Sequence, residues 1–189
     1  MKVGGASAPI LESRPKPLAR RLFFAIWPDE ATRESLRRST QDVLRHCGGK
    51  PVRPESFHIT LAFIGNVPER HFDALVEAAG GVSPEPLVLT LDRFGYFPVP
   101  QVLWLGPAQT PGALRALSRD LRAALDVAGF THDAKPFNAH LTLARKVRTE
   151  PKLIPPQPVA WPVKGFALVE SNTDPAGARY QVMATFPPV

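Results

Sequence analysis

Cysteine is nearly absent. Cys47 is the single one in 189 residues, which excludes an intramolecular disulfide framework and a cysteine-based zinc site. Long apolar runs are missing as well: no window approaches a membrane span, and the N-terminus lacks a stretch fit for a signal-peptide core. A soluble, cytoplasmic protein is expected, with no membrane partner. Gly48-Gly49-Lys50-Pro51 lacks the upstream glycine and the hydroxyl residue of a phosphate-cradling loop. No Lys-x-Asp-Gly sequence supplies an adenylated-lysine nucleophile. The net charge of +6 does not imply a broad basic surface either. Residues 1–21 carry five basic side chains against Glu12, four of the six surplus charges, and leave the rest nearly balanced. A small phosphate pocket remains compatible with that balance.

What is present is a core-forming composition, 44% hydrophobic, in a chain long enough for one domain or two closely packed lobes. Residues 1–19 read as a disordered leader and residues 20–189 as the folded body. Arg20 to Trp27 predicts a buried strand, and Asp29 a helix cap over about 30–46, with Ala31, Leu36, Val43 and Leu44 as its apolar positions. A second strand stops near Gly65-Asn66, and Pro68 opens a helix to about Ala79. Leu87 to Phe94 and Val102 to Leu105 read as strands. Pro111 starts a helix to about Ala128, with Leu114, Leu117, Leu121 and Leu125 on one face and Gly129 as its stop. Residues 150–162, with five prolines, read as a surface linker. Two last strands, about Phe166–Glu170 and Tyr180–Phe186, flank a turn at Asp174 to Gly177. The order predicts an α+β fold of mostly antiparallel sheet in two pseudo-symmetric lobes.

One decapeptide occurs twice: Pro54 to Phe63 and Pro136 to Arg145 share Pro, His, Thr, Leu and Ala at five of ten aligned positions. Strand alternation sets His58 with Thr60, and His140 with Thr142, on one face, and turns Ile59, Leu61, Leu141 and Leu143 inward. A single histidine in a strand is ordinarily a hydrogen-bonded structural residue. Duplication of both polar positions is what packing alone does not account for. Two histidines facing one ligand can act as base and acid, with each threonine hydroxyl donating to an anionic oxygen, a set suited to in-line displacement at phosphorus. Two histidines without a carboxylate or cysteine cluster are too few for a typical zinc site, so no metal or cofactor is expected. His46 and His71 read as surface residues, and His132 has no evident partner.

His58-Ile59-Thr60-Leu61 and His140-Leu141-Thr142-Leu143 resemble the paired motifs of the 2H phosphoesterases. Arg21 to Ile26, Val102 to Gly106, Leu141 to Arg145 and Leu168 to Ser171 extend the resemblance to the RNA 2′,3′-cyclic phosphodiesterase, or 2′-5′ RNA ligase-like, branch. It covers about residues 20–187. It implies a bilobal fold with a central cleft and metal-independent hydrolysis of a 2′,3′-cyclic phosphate, on RNA ends or small nucleotides, to a 2′-phosphate. It also implies His58 as proton donor and His140 as acceptor, an assignment the equivalent motifs cannot supply themselves. The rivals are an ATP-independent 2′-5′ RNA ligase, using the same groups in reverse, and a non-catalytic RNA- or nucleotide-binding module. Two complete motifs argue against the last, since binding needs no proton exchange.

The resemblance further places Arg145 and Phe63 in the substrate pocket beside Thr60 and Thr142. Strict alternation objects, because an odd offset from each histidine points to the other face. Either the strand ends or bulges before Arg145, or Arg145 is a surface residue. Phe63 divides between pocket and core, and Trp104 between core and a stacking role. A monomer without protein partners is expected.

Overall fold

The computed structural model describes residues 19–174 and 177–187. The expected leader lies outside these residues except for Ala19. The predicted apolar run forms β1, Ala19–Ile26, buried from Leu22 onward. The Asp29 carboxylate accepts from the Thr32 N–H at 2.8 Å and so caps α1, Glu30–His46. The helix presents Thr32, Leu36 and Thr40 inward, while Ala31 is exposed and Val43 and Leu44 half-buried. The threonine face escapes an apolar-periodicity reading because Thr40 satisfies its hydroxyl locally, on the Leu36 carbonyl at 2.8 Å.

After the two-residue strand β2, Lys50–Pro51, the first motif continues into β3, Ile59–Pro68. This strand runs past Gly65, which takes φ +83°, and Pro68 ends it rather than opening a helix. A turn of 3-10 helix follows before α2, Phe72–Gly80. The predicted strand at 87–94 divides into β4, Leu87–Leu91, and β5, Arg93–Phe97, which lie in different sheets. Next come β6, Val102–Gly106, and α3, Gly112–Val127, which buries the four predicted leucines together with Ser118. The second motif continues into β7, Leu141–Arg145.

The proline-rich stretch is not all linker. Val159–Val163 forms β8, pairs with β4 and buries Val159, Trp161 and Val163 on alternate positions. A ribbon of two strands tolerates Pro162 because both strands are edges. Strands β9, Phe166–Asp174, and β10, Gly177–Phe186, close the chain. The two central residues of the turn expected between them, 175 and 176, lie outside the described residues.

The main sheet is ordered β10-β9-β1-β3-β7-β6-β5, with β2 on the flank of β7, and every pairing is antiparallel. The two motif strands lie side by side at its centre, each flanked by the strand that precedes its helix: β1 by β3, β6 by β7. Helix α3 packs on β3 and α1 reaches β7. Each half thus covers part of the other's motif strand over one shared core.

Candidate active site

The strands β3 and β7 meet at the pair Ile59 and Leu141, the equivalent residue of each motif. An antiparallel register through that pair sets residue 58 level with 142 and residue 60 level with 140, all on one face. His58, Thr60, His140 and Thr142 accordingly line one cavity of about 620 Å³. Each histidine stands one residue before its strand begins and makes the same contact. His58 Nδ1 lies 2.7 Å from the Ser56 carbonyl, and His140 Nδ1 lies 2.8 Å from that of Asn138. A carbonyl only accepts, so each Nδ1 carries the hydrogen, and Nε2 is the atom of each ring left to exchange a proton.

A bulge resolves the objection to Arg145. In β7, Leu103 pairs with Ala144 but Trp104 with Thr142, which leaves Leu143 as an extra residue. In β3, Phe24 pairs with Ala62 but Ala25 with Thr60, which leaves Leu61 extra. The bulges fall at the same motif position. Leu61 and Ala62 are both buried, as are Leu143 and Ala144, so alternation restarts on the histidine face. Arg145 lines the cavity with both histidines. Phe63 lines an adjoining recess of about 340 Å³ with His58, Thr60 and Arg145, its ring 5.1 Å from the Arg21 guanidinium.

Both bulges are held at their carbonyls. Leu61 O accepts from Ser118 Oγ at 3.0 Å and Arg122 Nε at 3.2 Å, whereas Leu143 O accepts from the Val52 N–H at 2.7 Å. Arg122 also donates to the carbonyls of Asp133 and Lys135. Asp133 exchanges two hydrogen bonds with the Phe63 backbone, one through its carboxylate at 3.0 Å and one through its own N–H at 2.9 Å. The carboxylate lining the cavity is thus already engaged.

The histidines differ in their aromatic surroundings. Trp27 stacks on His58 at 5.2 Å and 2°, while Phe23 and Tyr180 close in at 5.0 Å each. His140 has Phe97 edge-on at 5.2 Å and Trp104 at 6.4 Å. Burial pushes His58 down to about 4; the Ser56 carbonyl opposes this, and the charges of Arg145 and His140 depress it further. Burial also lowers His140, with the Asn138 carbonyl opposing and Arg145 adding to the effect.

Other residues divide as follows. Trp104 is core, 9% exposed behind His140. His46 and His71 are exposed. His132, without an evident partner in the sequence, has Nε2 3.3 Å from the Asp126 carboxylate. The sequence offers no signal for Trp27, Phe23, Phe97 or Tyr180 around the histidines, nor for Arg122 and Asp133. Each meets its partner from a segment distant in the chain, as Asp133 does Phe63.

Two histidine-threonine strands joined at their equivalent residues, facing one cavity, define a duplicated two-histidine site of phosphoesterase type. The family model "LigT like Phosphoesterase" matches residues 26–104 and, separately, 105–180, a motif strand in each stretch. The chain belongs to this family, within the 2H phosphoesterases. The RNA 2′,3′-cyclic phosphodiesterase of Thermus thermophilus is 35% identical over 182 residues, 88% of this chain and 89% of that protein. The Escherichia coli protein of the same name is 34% identical over 163 residues, 85% and 92% of the two. The crystal structure of Escherichia coli LigT with 3′-AMP superposes with a TM-score of 0.80 at 31% identity, covering 89% of this chain and 97% of that one.

Proposed function

We propose that this chain hydrolyses the 2′,3′-cyclic phosphate of RNA ends or small nucleotides to a 2′-phosphate by acid–base catalysis between His58 and His140, without a metal. The observation that carries the reading is the single cavity lined by both histidines and both threonines. The names of the relatives supply the cyclic phosphate, and the 3′-AMP bound to LigT supports a nucleotide in the cavity.

His140 Nε2 takes a proton from water as the water oxygen forms a bond to phosphorus. The P–O3′ bond breaks in line, and His58 Nε2 gives its proton to O3′, leaving a 3′-hydroxyl and a 2′-phosphate. Thr60 and Thr142 donate to the non-bridging oxygens, Arg145 offsets their charge, and Phe63 walls the adjoining recess. His58, held at about 4, is neutral in the free protein at pH 7. The bound anion favours its protonated form, so the acid is armed by substrate.

Incubation with cyclic nucleotides in EDTA, with identification of the product isomer, tests this. A 2′-phosphate is expected, with roughly 10²–10⁴ lower turnover in His58→Ala and in His140→Ala. Turnover indifferent to both substitutions refutes the mechanism, activity lost in EDTA refutes the metal-free reading, and a 3′-phosphate product refutes the bond cleaved.

A further inference from the structure

Next to the histidine cavity, β2, the end of β7 and β10 enclose a groove of about 340 Å³. Lys50, Arg53, Arg145, Lys146 and Arg179 line it, and among the described residues no carboxylate does. Lys50 is paired directly opposite Arg145 across β2 and β7. Like charges at opposed ladder positions destabilise a sheet, and a bound anion would relieve them. Among the described residues no ion pair involves Lys50, Arg53, Arg145 or Lys146, whereas Arg20, Arg33, Arg37 and Arg119 all have carboxylate partners.

The backbone is shaped to hold these charges together. Lys146 takes φ +58°, a left-handed conformation rare outside glycine, and turns the chain out of β7 just past Arg145. A Cβ at Gly49 would lie 2.5 Å from Val147 Cγ2 and 2.8 Å from the Arg145 carbonyl, so only glycine lets this segment sit so close. The groove is continuous with the site. Arg145 and Tyr180 line both the groove and the recess that contains His58 and Thr60.

We propose that this groove is a second phosphate subsite, for the phosphate on the 5′ oxygen of the nucleoside whose cyclic phosphate meets the histidines. The assignment rests on the cyclic phosphodiesterase reading. A 2′,3′-cyclic end uses both hydroxyls of the terminal ribose, so an RNA strand continues only through the 5′ oxygen, and the next phosphate is that one. The substrate class is therefore a cyclic-ended strand, or a nucleotide phosphorylated at its 5′ position, in preference to a mononucleotide with a 5′-hydroxyl.

Three substrates test the subsite at low ionic strength: adenosine 2′,3′-cyclic phosphate, its 5′-phosphorylated form, and the dinucleotide with a 2′,3′-cyclic end. The wild type should favour the phosphate-bearing substrates by roughly ten- to a hundredfold in kcat/KM, less so as salt rises. A preference for only one of the two shows whether the ligand is the strand's diester or a terminal monoester. Lys50→Ala with Arg53→Ala, both exposed and outside the histidine cavity, should abolish the preference without lowering the melting temperature or the turnover of the 5′-hydroxyl substrate. Equal kcat/KM values in the wild type, or a preference that survives the double substitution, overturn the proposal. If no cyclic substrate turns over, the reaction reading fails by itself. Calorimetry then decides the subsite: adenosine 2′,5′-bisphosphate should bind the wild type more tightly than adenosine 2′-phosphate, and equal affinities overturn it.

Discussion

At the scale of residues, the two histidines share a tautomer but not a solvent. Trp27, Phe23 and Tyr180 surround His58, and both rings lie within the field of Arg145. In the proposed mechanism the active form carries one proton on the pair, and both sites are shifted below 6.5, so that form declines as pH rises through the upper apparent pKa of the pair. The bell of kcat/KM should therefore centre on the acid side of 6.5, and an optimum at pH 7 or above in a pH-rate series would contradict it. Arg145→Gln removes a positive charge beside both rings. It should move the alkaline limb to higher pH while lowering kcat/KM roughly ten- to a hundredfold. A limb that stays in place would separate Arg145 from the electrostatics of the pair.

At the scale of elements, matched bulges at Leu61 and Leu143 bring Phe63 and Arg145 round to the histidine face. Side chains of α3 hold one bulge carbonyl and a backbone N–H before the first histidine holds the other. The strands behind the site are as closely set. A Cβ at Gly95 would fall 2.0 Å from Trp104 Cζ2, and Trp104 packs behind His140. Gly95→Ala should cost about 1–3 kcal/mol in urea unfolding and lower turnover with it, because overpacking displaces the indole. Unchanged stability would show that β5 yields without disturbing its neighbour.

At the scale of the whole molecule, folding buries a histidine that prefers to be neutral. His58 has a folded-state pKa of about 4 against 6.5 for an ordinary histidine, so the unfolded chain binds more protons between those values. Stability contributed at neutral pH is then lost as pH falls from about 6.5 towards 4, by about 3 kcal/mol for this group. Urea titrations of wild type and His58→Gln at pH 7 and pH 4 should show a smaller acid loss in the variant. Equal losses would show that other groups carry the acid sensitivity.

The amino-acid sequence by itself determined the α+β class, the duplicated histidine-threonine strands and the family. Those features are carried by local pattern: the continuous apolar run of β1, alternation in the motif strands, leucine spacing in α3, and a decapeptide repeated with five of its ten positions identical. It misread β8 as linker because Pro162 and the prolines before the strand mask alternation that only pairing with β4 makes visible. It left Arg145 undecided because a bulge is a property of two strands in register, not of one strand's composition. The aromatic enclosure of His58 is likewise tertiary, drawing Trp27 from the end of β1 and Tyr180 from β10, 122 positions beyond His58. The chain's residues singled out the two histidines that share the cavity. Only the packing of remote elements decided the downward shift of both histidines, the side on which Arg145 emerges and the basic groove beyond it, because desolvation and strand register depend on neighbours distant in sequence.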